Sequence, residues 1–296
     1  MQLIAPPPDF VAPPRVQAPR RLTEKVPALY PVAVWVFRAK RRLEWLRSDN
    51  VWASDRATEP LECRVLRHNS LLMRELSPDE MELQRNKVVN LRLAAARTDT
   101  VLIRPGETFS FNRIVGNCTR KDGYTEGMRL SNGRAISGVG GGICQLANLL
   151  HWMFLHSPLT VVERSEHSFD PFPDKGRVLP WGVGCSIVYN YVDLVVRNDT
   201  DITFQVLTSV GERYLEGELR SDAPVPHSYK VHARDEVFIK RGEEFFRRNE
   251  IWRTVIDKRT GERLGDERLK QNCAKVVYDL PEQAVVIDAD ATPRAG

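Results

Sequence analysis

Gly138-Val-Gly-Gly-Gly-Ile-Cys-Gln-Leu-Ala-Asn-Leu-Leu-His-Trp-Met-Phe-Leu-His156 carries the decisive change of pattern in this 296-residue chain. Gly133, Gly138, Gly140, Gly141 and Gly142 are five of the chain's 18 glycines. That density excludes regular structure and predicts a loop whose backbone comes close to something. Behind it, Ile143, Leu146, Ala147, Leu150, Met153 and Phe154 recur at three- and four-residue spacing. They predict a helix of about three to four turns, closed by Ser157-Pro158, with Cys144 at or within its first turn.

Upstream, Ser77-Pro78-Asp79-Glu80 combines an N-cap serine, a proline at the first helical position and a glutamate at N3. Met81, Val88, Leu91 and Ala95 follow at helical spacing, so a helix to about Ala96 is predicted. Thr100–Ile103 reads as a short strand, Arg104-Pro-Gly-Glu107 as a turn and Thr108–Asn112 as the partner strand. Downstream, Leu159–Arg164 is strand-like and Ser165–Asp170 is its exit. From residue 183 the chain reads as β-rich, with strands at Ile187–Arg197, Ile202–Ser209 and Tyr214–Arg220. Pro224 and Pro226 mark a joint, and Val231–Val286 reads as short strands separated by Gly turns.

The fold class is therefore α+β: a Gly-rich loop leading into a central helix with a Cys at its N-terminus, packed on a mainly antiparallel sheet. A small β-rich C-terminal part follows. The predicted boundaries are a Pro-rich flexible leader at 1–27, a basic and apolar segment at 28–60, and the core with the Cys/His site at 61–222. Residues 223–286 form the β-rich part and 287–296 a flexible tail.

Charge narrows the partners. The net charge is +4, yet residues 1–47 hold nine Lys/Arg against three Asp/Glu, so a basic arm precedes a near-neutral body. The body shows no basic stripe with interleaved aromatics, so no nucleic-acid partner is expected. Tyr30–Phe37 is apolar and Arg38–Arg47 basic and Trp-containing, a pair of segments suited either to weak contact with an anionic membrane or to packing on the body. The five cysteines (Cys63, Cys118, Cys144, Cys185, Cys273) are odd in number and widely spaced, a poor disulfide framework. With no signal-peptide pattern and no apolar run of about 18–20 residues, the expected location is cytoplasmic.

A thiol at a helix N-terminus meets unpaired N–H groups and the helix dipole, which favour the thiolate and can stabilise an oxyanion. His167 follows 23 residues later as the candidate base, and Asp170 or Asp193 can orient it. This is the chain order of papain-like Cys–His–Asp enzymes. Asp193 falls on the same alternating face as Tyr189 and Tyr191. Other readings stay open: a structural Cys144, a metal ligand acting with His167 and either Cys185 or another His, or a phosphate cradle at Gly138–Gly142. No tight ligand spacing is present, and the loop lacks the Lys-Ser/Thr of a P-loop, so neither a metal nor a cofactor is expected.

Further segments carry a likeness. Arg104-Pro-Gly-Glu-Thr-Phe-Ser-Phe-Asn112, Gly140-Gly-Gly-Ile-Cys-Gln145, Glu163-Arg-Ser-Glu-His-Ser168 and Tyr189-Asn-Tyr-Val-Asp-Leu194 resemble the VanW family, as do Val115-Gly116 and Gly123-Tyr124. Arg248–Arg253, Asn272 and Tyr278 resemble its C-terminal part, so the likeness spans roughly residues 65–280. It implies a link to glycopeptide resistance and the cell envelope, and a site formed by Cys144, Gln145 and His167. Two functions follow as expectations. One is a cysteine-dependent hydrolase or transferase acting on a peptide or amide, with a cell-wall precursor as substrate and Gln145 helping to hold the oxyanion. The other is a non-catalytic module that grips a peptide or glycan with Gly140, Gly141, Gly142, Tyr189, Tyr191 and Trp181.

Overall fold

Helix and sheet alternate through the first half of the chain, and strands dominate the second. The computed structural model describes residues 1–7, 10–13, 26–73, 78–131, 134–165, 169–170, 173–174 and 178–291. Strand β1 (Gln2–Ile4) and helix α1 (Tyr30–Arg47) precede β2 (Val51–Trp52) and β3 (Cys63–Leu71). Helix α2 (Pro78–Thr98) leads to β4 (Val101–Ile103), β5 (Glu107–Ser110) and the short α3 (Phe111–Val115). The hairpin β6 (Glu126–Ser131) and β7 (Arg134–Val139) runs into the glycine loop and helix α4 (Cys144–Leu155). Then come β8 (Thr160–Glu163), β9 (Phe169–Asp170), β10 (Val195–Arg197), β11 (Phe204–Val210) and β12 (Tyr214–Ser221). The chain continues through β13 (His227–Arg241), β14 (Glu244–Asp257), β15 (Arg263–Val276) and β16 (Val285–Asp288).

The α+β class holds. An antiparallel sheet in the order β3-β12-β11-β4 receives α4, whose Leu146, Ala147, Leu149, Leu150, Met153 and Phe154 are buried. Close approach of helix to sheet is set at Gly217 on β12, where a Cβ would stand 2.7 Å from the Leu149 side chain. Leu91, Ala94 and Ala95 of α2 and Phe109 and Phe111 join the same core. A second sheet, β2-β5-β10-β8, carries β5 and β10 antiparallel at its centre.

Several local expectations change. The segments 100–103 and 108–112 do not pair as a hairpin: β4 joins β11, whereas β5 joins β10 and β2. Ile187–Arg197 is a strand only at its end, because Val188 and Val192 bridge across a turn in which Asn190 has φ 53°. That turn removes the alternating face on which Tyr189, Tyr191 and Asp193 were placed. The C-terminal part is not a set of short strands. Strands β13, β14 and β15 run 15, 14 and 14 residues and centre a six-stranded sheet, β1-β16-β13-β14-β15-β9. Arginines and glutamates on their solvent face disguise the length as broken pattern.

The first residues are not simply a loose leader. Gln2–Ile4 pairs in parallel with Val285–Ile287, and Arg248 lies 4.9 Å from the Phe10 ring while donating to Val11 O. Residues 14–25, and the side chains of the Ser77–Glu80 capping box, lie outside the described residues, as does the tail from 292.

Candidate functional site

The loop before α4 is strapped down. Asn90 Nδ2 of α2 donates to Gly141 O at 2.9 Å and to Thr125 O at 3.0 Å, and Gly140 N donates to Thr125 O. Gly140 (φ 74°) packs on Cys118, Gly141 on the backbone of Gly127, and Gly142 (φ 92°) on the Lys87 side chain. These three glycines secure close packing between segments of this chain.

Cys144 is the first residue of α4, and no side chain caps this end. Ile143 O already accepts from Leu146 N and Ala147 N, and Gln145 N donates back to Gly142 O. Among the described residues, the backbone N–H groups of Gly142 and Ile143 find no backbone acceptor, and that of Cys144 faces its own sulfur. Two orphan donors thus gather at the sulfur-bearing end of the helix, an arrangement that suits an anion or a developing oxyanion.

The sulfur itself is turned inward, 4.0 Å from Ile187 O. Burial pushes the Cys144 thiol above its ordinary value, against the smaller opposing pull of the Ile187 backbone, Arg129 and Cys144's own N–H. The predicted lowering by the helix dipole does not prevail. A helix end contributes about 0.3–1 kcal/mol, whereas desolvation shifts buried groups by up to several pKa units. Cys185 is fully buried where Cys144 is half-buried, and its thiol is raised by burial and by the nearby Cys144. Both shifts favour the neutral thiol.

His167 lies outside the described residues. The segment after it is firmly anchored on the C-terminal sheet. Phe169–Asp170 pairs in parallel with Lys275–Val276, and Asp170 Oδ2 accepts from Tyr278 Oη at 2.9 Å and from Arg247 Nη1 at 3.3 Å. Arg247, only 2 % exposed, also holds Asp174 at 2.6 and 2.8 Å, pairs with Glu236 and lies over the Trp181 ring at 5.1 Å. Asn249 Nδ2 donates to Trp181 O, and Asn272 Nδ2 to Asn249 Oδ1. This clamp was missed from the sequence, where Arg247 is one arginine among many. Its single signal there is an arginine beside the Arg248–Arg253 motif.

The remaining candidates scatter. Asp193 accepts from Ser110 Oγ at 2.5 Å, Asn112 N at 2.9 Å and Leu194 N at 2.8 Å. It thereby fixes the corner between β5 and α3, and burial raises its carboxyl to about 6. Asn112 Nδ2 donates to Val188 O and Val192 O, so the 104–112 and 189–194 motifs lock each other. The Gln145 amide is engaged by β3, donating to Ser70 Oγ and Leu71 O rather than serving an oxyanion. Tyr189 and Tyr191 meet α1 through Arg38 and Phe37, and Trp181 is buried under Arg247. No cluster of three His, Cys, Asp or Glu able to hold a metal occurs among the described residues.

Residues 86–220 match the family described as VanW like protein. Over 275 residues the chain is 32 % identical to the vancomycin B-type resistance protein VanW of Enterococcus faecalis, covering 92 % of this chain and 98 % of that one. The chain belongs to the VanW family. A shorter likeness, 38 % over 96 residues, relates it to the uncharacterized protein YoaR of Bacillus subtilis, covering 31 % of this chain and 32 % of YoaR. No solved structure matches. The VanW family match spans both the Cys144 loop and the Ser110–Asp193 corner. No helix of the described residues is long and apolar enough to cross a membrane.

Proposed function

We propose that this VanW-family chain is a cysteine-dependent hydrolase or transferase acting on a peptide or amide of cell-wall type. One observation carries the reading: Cys144 opens α4 beside the Gly142 and Ile143 N–H groups that lack a backbone acceptor. A carbonyl attacked by this sulfur places its oxygen at those donors.

Because burial favours the neutral thiol, the base acts at the moment of attack. His167 takes the Cys144 proton as the S–C bond forms and the carbonyl π pair moves onto oxygen. Collapse of the tetrahedral species restores the carbonyl, breaks the C–N bond and passes the His167 proton to the departing amine. Water then cleaves the thioester in a hydrolase, or an acceptor amine does so in a transferase. Asp193 has both oxygens committed to Ser110, Asn112 and Leu194, and Asp170, three residues beyond His167 and held by Arg247 and Tyr278, takes the orienting role. The backbone replaces Gln145 as the oxyanion donor.

The test is release or exchange of amines from peptidoglycan stem peptides, followed by mass spectrometry. Cys144→Ala and His167→Ala should each lower turnover by about 10²-fold or more with unchanged melting. Turnover untouched by Cys144→Ala would dismiss the nucleophile.

A further inference from the structure

Helix α1 has two faces with different surroundings. Phe37, Arg38, Arg41 and Trp45 touch the body. Arg41 forms a bidentate pair with Glu163 at 2.6 and 2.8 Å and donates to Tyr191 O, and Phe37 packs on Tyr191 at 4.9 Å. Arg38 lies over Tyr189, while Arg113 sits between Trp45 and Trp52 at 5.1 and 4.7 Å. The opposite face is Val32, Trp35, Val36, Ala39, Leu43 and Leu46. They recur at three- and four-residue spacing and so form one stripe.

That stripe is bare. Leu46 is 83 % exposed, Trp35 70 % and Val32 56 %, and α1 buries none of its residues. Side chains of core type standing together in water mark an interaction surface. The borders of the stripe are basic: exposed Lys40 and Arg47 on one side, exposed Arg42 on the other. Glu44, beside Lys40, is the helix's acidic residue.

We propose that this face of α1 rests in the interface of an anionic lipid bilayer. An apolar stripe bordered on both sides by cations sinks its aliphatic and indole groups below the headgroups, while the flanking side chains reach up to the phosphates. Charge complementarity selects this occupant over a second copy of the chain, since pairing two such faces brings Lys40, Arg42 and Arg47 against like charge. The helix has 18 residues, about 27 Å, and does not meet the requirement for crossing, so it lies on the surface. Arg41–Glu163 and Phe37–Tyr191 tie it to β8 and to the turn beyond Ile187, whose carbonyl faces the Cys144 sulfur. Docking of α1 thus holds the Cys144 region beside the membrane.

Flotation of the full chain with vesicles tests this. Vesicles of phosphatidylglycerol and phosphatidylcholine should carry the protein upward, phosphatidylcholine alone should not, and raised salt should weaken the binding. The Trp35→Glu/Leu46→Glu double variant should lower the bound fraction about tenfold or more. So should the Lys40→Glu/Arg42→Glu/Arg47→Glu variant. Both change exposed side chains, and unchanged melting verifies the fold. The proposal is overturned if the wild type stays with the soluble fraction, or if neither variant alters flotation. It is also overturned if sedimentation shows a dimer that Trp35→Glu dissociates, since a second copy then covers the face.

Discussion

Gly127 and Gly141 meet backbone to backbone: a Cβ on Gly127 would stand 2.6 Å from Gly141 O, and one on Gly141 would overlap the Gly127 peptide. The contact fastens the β6 strand to the loop that introduces Cys144. The Asn90 amide fixes it from the side of α2. The signature glycines thus set where the helix begins, and with it where the orphan N–H groups point.

Replacing Gly141 by alanine should therefore act on the fold first. Neither backbone can retreat as a flexible side chain would, so Gly141→Ala should destabilise by about 1–3 kcal/mol, the usual cost of overpacking. Gly184→Ala is the control. Its Cβ would meet nothing nearer than Asn148 Oδ1 at 3.8 Å, so its stability should stay within about 0.5 kcal/mol of wild type. Urea denaturation of both variants decides the point.

Two buried groups give stability opposite pH trends. Burial, then the charge of Arg164, lowers His151 from 6.5 to about 3 while its Nδ1 bonds Val183 O. The unfolded imidazole takes up its proton near the ordinary value and the folded one does not, so stability is lost as pH falls below about 6.5. Asp193 is raised from 3.8 to about 6 by burial. Its folded form holds the proton longer than the unfolded chain does. Its contribution is complete below about 3.8 and is lost as pH rises through about 6. Urea midpoints measured from pH 4 to 7 should show a flatter acid decline in His151→Gln. Asp193→Asn should remove the opposing decline between about pH 4 and 6. Each effect should be on the order of 2 kcal/mol.

The Arg247 clamp should be costly to break. With the guanidinium gone, Asp170 loses a cationic partner in a buried setting. Arg247→Ala should destabilise by about 3–5 kcal/mol in urea unfolding. Arg247→Lys should recover only part of this, because an ammonium cannot reproduce the two-point contact with Asp174.

The sequence makes the central helix legible because Leu146, Leu150 and Met153 repeat with helical period and the glycines mark its start. The Ser110–Asp193 corner escapes notice because its partners are 83 residues apart and each is an ordinary polar residue locally. The Tyr189–Tyr191 alternation suggests a strand, yet a left-handed Asn190 and the Asn112 amide impose a turn, so tertiary hydrogen bonding overrides local propensity. The lowered thiol pKa expected of Cys144 fails for a different reason. Position along a helix can be read from sequence, whereas the depth of a sulfur beneath Ile187 cannot. Helix α1 reads as an apolar segment followed by a basic one, and only the fold shows which stripe the body leaves uncovered.

The most direct test of the central claim is acid-quenched peptide mapping after mixing the protein with peptidoglycan stem peptides. An acyl adduct should form on Cys144, absent from Cys63, Cys118, Cys185 and Cys273, and accumulate before amine release is complete. Amine release without any mass shift on Cys144, or release that persists in Cys144→Ala, would contradict it.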